Sequence, residues 1–233
     1  MPLPSPTLPQ LGVAPWRLSG VVYSALLNDP QQLADLGDAV HQPPYKAPPR
    51  HPVLAVRPRN TLAGDGDAIA VPASVGLVRT GASLGLVIGQ VACRVPVSEA
   101  MAVVAGYLVA NDLSLPLPGP GSHYRPAARQ MMRDGFCPLG AQVVPAGAVP
   151  DPDALQIRLL LDGQPAWQGS TAGRVRGVAQ LVSDVSEFMT LQPGDVLLLG
   201  IGAGAPLARI GQSMAVHIAG IGQLHNSLVA EAA

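Results

Sequence analysis

Aromatic side chains are scarce in this chain and so is charge: of 233 residues, 3% are Phe, Trp or Tyr and 12% are Asp, Glu, Lys or Arg. A core without large rings has to be filled by Val, Leu, Ile and Ala, and a weakly charged surface predicts extensive contact between subunits. The 14 basic and 15 acidic residues nearly cancel and form no basic run, which argues against a nucleic-acid partner and against docking on a charged membrane surface. No apolar stretch approaches the roughly 20 residues that cross a bilayer as a helix. Residues 1–19 are rich in proline and have no basic residue before Arg17, so they lack the charged start and apolar centre of a signal peptide and read as a flexible leader. The two cysteines, Cys93 and Cys137, share no Cys-x-x-Cys spacing, which fits reduced thiols rather than a disulfide framework. A soluble cytoplasmic protein is the expectation.

Glutamate is the rarest of the acids. Only Glu99, Glu187 and Glu231 occur, and no Glu-x-Glu exists anywhere. A hard divalent cation wants anionic oxygens held together, so a site built on paired glutamates is excluded. Asp65 and Asp67 form a close acidic pair, in a turn-like Asp-Gly-Asp that reads as solvated surface.

What is present is hydrophobicity, 48% of residues, punctuated by 26 Gly and 25 Pro. High apolar content argues against disorder, so the punctuation implies many turns between short strands: a mostly β, α+β chain. The organisation expected is a leader (1–19), a small N-terminal lobe with a Pro-rich connector (20–52) and a core domain (53–233). Strands are predicted at 20–27, 53–56, 68–71 and 85–88, and a helix at 30–40. Apolar spacing over 98–111 predicts a helix with Ser98 as N-cap, presenting Asn111 and Asp112 beyond its end. Residues 115–122, rich in Pro and Gly, read as a loop or lid. Residues 155–161 and 166–167 flank Asp162-Gly163 as a hairpin, 178–188 fits an amphipathic helix, 196–199 a fully buried strand, and 214–221 a last strand.

Few motifs carry chemistry. The series Gly200-Ile201-Gly202-Ala203-Gly204 follows an apolar strand, but Pro206 and Gly211 interrupt the helix a dinucleotide would need, and it reads as a glycine-rich turn. None of the five histidines sits in a diagnostic setting for nucleophilic catalysis, and His217 reads as a core or interface residue. The stretch from His123 through Tyr124, Arg125, Arg129, Arg133 and Asp134 gathers donors beside the Pro/Gly-rich loop. Guanidinium groups there either clamp a substrate with several carboxylates or form an ion-pair network, with Arg133 bridging to Asp134 or Asp112.

An ordered series of short motifs runs from about residue 20 to 229: Tyr45-Lys46-Ala47-Pro48-Pro49, Pro58-Arg59-Asn60-Thr61, Leu86-Val87-Ile88-Gly89, Ala110-Asn111-Asp112, Arg133-Asp134-Gly135-Phe136-Cys137-Pro138 and Pro193-Gly194-Asp195. Together these resemble the fumarylacetoacetate hydrolase family. The resemblance implies mixed sheets rolled around the site with short flanking helices. It also implies a divalent metal such as Mg held by a Glu-x-Glu pair and an Asp. Here Gly81 and Ser83 stand at the pair's positions and only Asp112 remains, so no metal is expected. Met131 stands where the family has a lysine, residues 28–32 hold no histidine base, and Ile201 replaces a threonine.

Within the family, the combination of Tyr45-Lys46-Ala47-Pro48-Pro49 with Thr80-Gly81-Ala82-Ser83 is similar to the isomerase/decarboxylase branch of 4-hydroxyphenylacetate (homoprotocatechuate) breakdown. That branch implies 5-oxopent-3-ene-1,2,5-tricarboxylate and 2-hydroxyhepta-2,4-diene-1,7-dioate as substrates, and a homologous C-terminal-type subunit, or further copies of the chain, as partner. Two readings stay open. In one, Arg125, Arg133 and Asp134 hold a 2-oxo di- or tricarboxylic acid while Asp112 or Tyr124 moves the proton without metal. In the other, the chain is a catalytically silent structural partner.

Overall fold

The run from Ala82 to Ile88 is apolar or small at every position, and only a strand covered on both faces can bury such a run completely. In the computed structural model, which describes residues 20–116, 123 and 128–232, it lies inside a six-stranded sheet. In chain order the strands begin β1 (Val22–Leu26), β2 (Val53–Arg57), β3 (Leu62–Ala63), β4 (Ala68–Val71), β5 (Leu77–Arg79), β6 (Ala82–Ile88), β7 (Val104–Asn111) and β8 (Cys137–Pro138). They continue as β9 (Val144–Pro145), β10 (Gln156–Leu161), β11 (Gln164–Ser170), β12 (Val196–Leu198), β13 (Leu207–Arg209), β14 (Ser213–Ile218) and β15 (Gly222–Ala230). The helices are α1 (Pro30–Leu36), α2 (Ala128–Met131) and α3 (Val178–Phe188), besides short 3-10 turns. None of the described helices is long and apolar enough to cross a membrane.

The first sheet has the order β2-β1-β12-β6-β7-β9 and the second β11-β10-β14-β15-β4, with β13-β5 and β3-β8 as two-stranded pairs. Both large sheets are mixed, because β1 runs parallel to β12 and β15 parallel to β4 while their other pairings are antiparallel. Strand β1 lies between β2 and β12 in the main sheet.

Alternation along β6 and β7 explains the layering. Leu84, Leu86 and Ile88, with Tyr107 and Val109, face α3 and the inner side of the second sheet, where Ile157, Leu159, Val216 and Leu224 complete the largest core cluster. Val87, Leu108 and Ala110 face the other way and pack with Val22, Leu62, Cys137, Leu139 and Leu198. Helix α3 buries Val178, Leu181, Val182 and Val185, a stripe at helical spacing. Gly177 cannot cap it with a side chain, and Asp153 Oδ1 accepts from the Val178 N–H at 2.9 Å instead.

Two expectations are overturned. The helix predicted over 98–111 is a 3-10 turn (Val97–Val103) followed by strand β7. Seven of the eight β7 residues are buried, so no polar stripe exists for a surface helix, and pairing with β6 decides the outcome. The strand at 214–221 is not the last: it ends at Ile218, and β15 follows, alternating buried Leu224, Asn226 and Leu228 with more exposed neighbours. The hairpin at Asp162-Gly163 forms as read, both residues having positive φ (49° and 74°) as a primed two-residue turn needs. The leader and most of the loop at 115–122 lie outside the described residues.

Candidate functional site

Because β7 is a strand, Asn111 and Asp112 leave the sheet in register with the start of β6, Ala82 opposite Asn111. The Asp112 N–H donates to the Gly81 carbonyl at 2.8 Å and the Gly81 N–H to Asn111 Oδ1 at 2.8 Å, which locks the two segments together. Arg57 stands opposite Val22, and Ser24 lies two residues further along β1, so both share one face of the sheet. Sequence, register and pleat thus bring Ser24, Arg57 and Asp112 to one point.

At that point Asp112 is enclosed. Its Oδ1 is ion-paired with Arg57 Nη2, and its Oδ2 accepts from Ser24 Oγ at 2.5 Å. Arg57 Nη2 also donates to the Leu113 carbonyl at 2.8 Å, and Nη1 donates to the Met131 carbonyl. Arg57 is 1% exposed and Asp112 4%, so neither charge is neutralised by bulk water and each depends on the other. Cys137 is buried beside them. Burial pushes its thiol well above the ordinary range and Asp112 adds to this, with Arg57 opposing, so the sulfur stays protonated and is no nucleophile.

The neighbouring positions leave no room for a metal's acids. A Cβ on Gly81 would stand 2.1 Å from the Asp112 carbonyl oxygen and 2.9 Å from Ile201 Cγ2. The Ser83 hydroxyl is engaged with the backbone of Gly200, accepting from its N–H at 3.1 Å and lying 3.2 Å from its carbonyl oxygen. Among the described residues no group of three His, Cys, Asp or Glu side chains could hold a metal ion. The Asp112 carboxylate is already neutralised by a guanidinium. The family's divalent cation does not fit this donor set.

Of the other residues singled out from the sequence, Tyr124 and Arg125 lie outside the described residues. Arg133 does not bridge to Asp134 or Asp112. Its Nη2 donates to both carboxylate oxygens of Glu231, at 2.9 and 3.0 Å, while Asp134 accepts from Asn60 Nδ2 at 2.8 Å. With Arg129 they border a surface groove of about 330 Å³. Asn28 is a structural cross-link, donating to the Leu199 and Arg176 carbonyls and accepting from the Arg176 N–H. His217 is exposed rather than core, in a groove of about 700 Å³ that also holds Arg158, Trp167 and His225. Residues 200–206 form the turn from β12 to β13, pinned where Trp167 Nε1 donates to the Ala203 carbonyl at 2.9 Å.

Sequence reasoning missed Arg57 and Ser24. Alternation through Ala55 places Arg57 on the buried side of β2, and a buried arginine demands an acidic partner, which would have pointed to Asp112.

Residues 21–229 match the family described as fumarylacetoacetate (FAA) hydrolase C-terminal. The chain is 40% identical to the 4-hydroxyphenylacetate degradation bifunctional isomerase/decarboxylase of Escherichia coli, over 92% of this chain and 48% of that protein. It therefore spans about half the length of the curated relatives it matches. A crystal structure of 5-carboxymethyl-2-hydroxymuconate delta-isomerase from Mycobacterium smegmatis superposes with a TM-score of 0.76 at 28% identity, covering 93% of this chain and 81% of that one. That of 2-hydroxyhepta-2,4-diene-1,7-dioate isomerase from Mycobacterium marinum gives 0.72 at 25% identity, covering 93% and 77%.

Proposed function

The chain belongs to the fumarylacetoacetate hydrolase family, and from that premise we propose that it is the N-terminal-type half of an isomerase/decarboxylase of 4-hydroxyphenylacetate (homoprotocatechuate) catabolism. The observation that carries this reading is the 40% identity that runs along nearly all of this chain but only half of the bifunctional relative. The whole assembly acts on 5-oxopent-3-ene-1,2,5-tricarboxylate and 2-hydroxyhepta-2,4-diene-1,7-dioate. Loss of carbon dioxide and shift of a proton between oxygen and carbon both build enolate charge, which a cation or donor array has to stabilise. The donor set around Asp112 favours assigning that stabilisation to a homologous second half bearing the Glu-x-Glu pair, with this chain as its structural partner. Free Cys93 and Cys137 accord with a reducing cytoplasm.

Mixing tests this directly. The specific activity of a homologous chain carrying the glutamate pair is measured with and without this chain, alongside the mass of the complex by sedimentation. A stable mixed complex with raised activity is expected; no complex at micromolar concentrations would overturn the pairing.

A second reading has one observation in its favour, the groove bordered by Arg129 and Arg133. In it, Arg125, Arg133 and Asp134 hold the substrate's carboxylates and Asp112 or Tyr124 moves the enol proton to carbon, giving the 2-oxo isomer with no metal. Burial of Asp112 against Arg57 weighs against this role for Asp112.

A further inference from the structure

We propose that the Arg57 guanidinium is this site's built-in cation, a tethered replacement for the divalent ion the family holds beside the same aspartate. Three oxygens from two separate segments converge on its two terminal nitrogens: Asp112 Oδ1 and the Leu113 carbonyl at the exit of β7, and the Met131 carbonyl. The second carboxylate oxygen is fixed by Ser24. A carboxylate and backbone carbonyls are the ligands a hard cation takes, so the cradle is of the right chemistry and is filled from within. The side chain enters from β2 and is fully buried, so no exchange with solvent cations can displace it.

The surroundings have adapted to that replacement. Gly81 has no space for an acid, and Ile201 approaches its missing Cβ. One positive charge against one carboxylate leaves the cluster neutral, whereas a divalent ion would need further ligands, and no group of three His, Cys, Asp or Glu that could hold it occurs among the described residues. Arg57 is also a positioning residue. By binding the carbonyls of Leu113 and Met131 it ties the exit of β7 to α2, as a shared metal ion would.

The inference rests on these contacts alone and not on the reaction proposed above, so its failure would leave the mixing experiment intact. The test is thermal unfolding of the full chain with 10 mM MnCl2, with EDTA, or with NaCl of equal ionic strength. The wild type is expected to be indifferent to all three. Arg57→Ala strands the buried Asp112 and is expected to lose roughly 10 °C in Tm. Mn2+, but not NaCl, then recovers about 3–6 °C by entering the emptied cradle, for a Kd of about 1 mM. Wild-type protein stabilised by Mn2+, Arg57→Ala as stable as wild type, or Arg57→Ala unresponsive to Mn2+ would each overturn the proposal. Should Arg57→Ala yield no folded protein, Arg57→Lys decides: it keeps one positive charge and is expected to fold and ignore Mn2+. An Arg57→Lys variant that gains dependence on Mn2+, or fails to fold as well, refutes the idea.

Discussion

Replacing Gly81 by alanine adds one methyl group where the backbone leaves no space. The new Cβ would lie 2.1 Å from the Asp112 carbonyl oxygen, 2.7 Å from its carbonyl carbon and 2.9 Å from Ile201 Cγ2. The first two are main-chain atoms, and the Asp112 N–H to Gly81 carbonyl bond of 2.8 Å ties them to residue 81 itself. The segments have to part by about 1 Å before the contact is relieved. Overpacking of this kind costs about 1–3 kcal/mol, and loss of the bridging hydrogen bond adds about 1 kcal/mol, so the expected destabilisation is about 2–4 kcal/mol. For a chain of this size that lowers Tm by roughly 5–15 °C. Gly147→Ala is the matched control, because nothing lies within 4 Å of its added Cβ. The assay is urea unfolding followed by circular dichroism, with the slope compared between variants to confirm that the midpoint shift reports stability. A Gly81→Ala midpoint equal to that of Gly147→Ala would refute the reasoning. A glutamate at position 81 would be worse still, so a metal site cannot be restored here by that single exchange.

Three further outcomes follow from buried groups. The Tyr107 hydroxyl is buried without a hydrogen-bond partner among the described residues, so Tyr107→Phe is expected to raise stability by about 1 kcal/mol, measured in the same urea assay; a loss of that size would contradict it. Burial, with Asp153 adding to it, pushes the Tyr107 phenol up to about 12 from an ordinary 10.0. A raised folded-state value means its contribution is present below pH 10 and is lost as pH rises toward 12. Tyr107→Phe should therefore flatten the alkaline limb of the stability curve, and an unchanged limb would count against this. Titration with a thiol-reactive disulfide on folded protein should modify the exposed Cys93 alone, with Cys137 reacting only after denaturation; rapid modification of both would contradict the burial of Cys137.

Much of the fold could be read from residue pattern because each element carries a local cause. Helix α3 shows its apolar stripe, the turn at Asp162-Gly163 its permissive dipeptide, and β12 its run without polar residues. Strand β7 misled because Val104, Tyr107, Leu108 and Ala110 fit helical spacing as well as continuous burial, and only pairing with β6 and β9 decides between them. Gly81 and Ser83 were legible because each is read from a single position. The contact of Arg57 with Asp112 was not. The Arg57–Asp112 pair joins residues far apart in sequence through the register of β1 on β2 and β6 on β7, and no local pattern encodes that register.

The most direct test of the account is turnover of 2-hydroxyhepta-2,4-diene-1,7-dioate by the isolated chain, first with EDTA and then with excess Mg2+. The account predicts no turnover in either, because Asp112 is held by Arg57 and, among the described residues, no group of three His, Cys, Asp or Glu side chains could hold the metal. Turnover that survives EDTA would make the chain a catalyst in its own right, and turnover that appears only with Mg2+ would show that the guanidinium has not taken the metal's place.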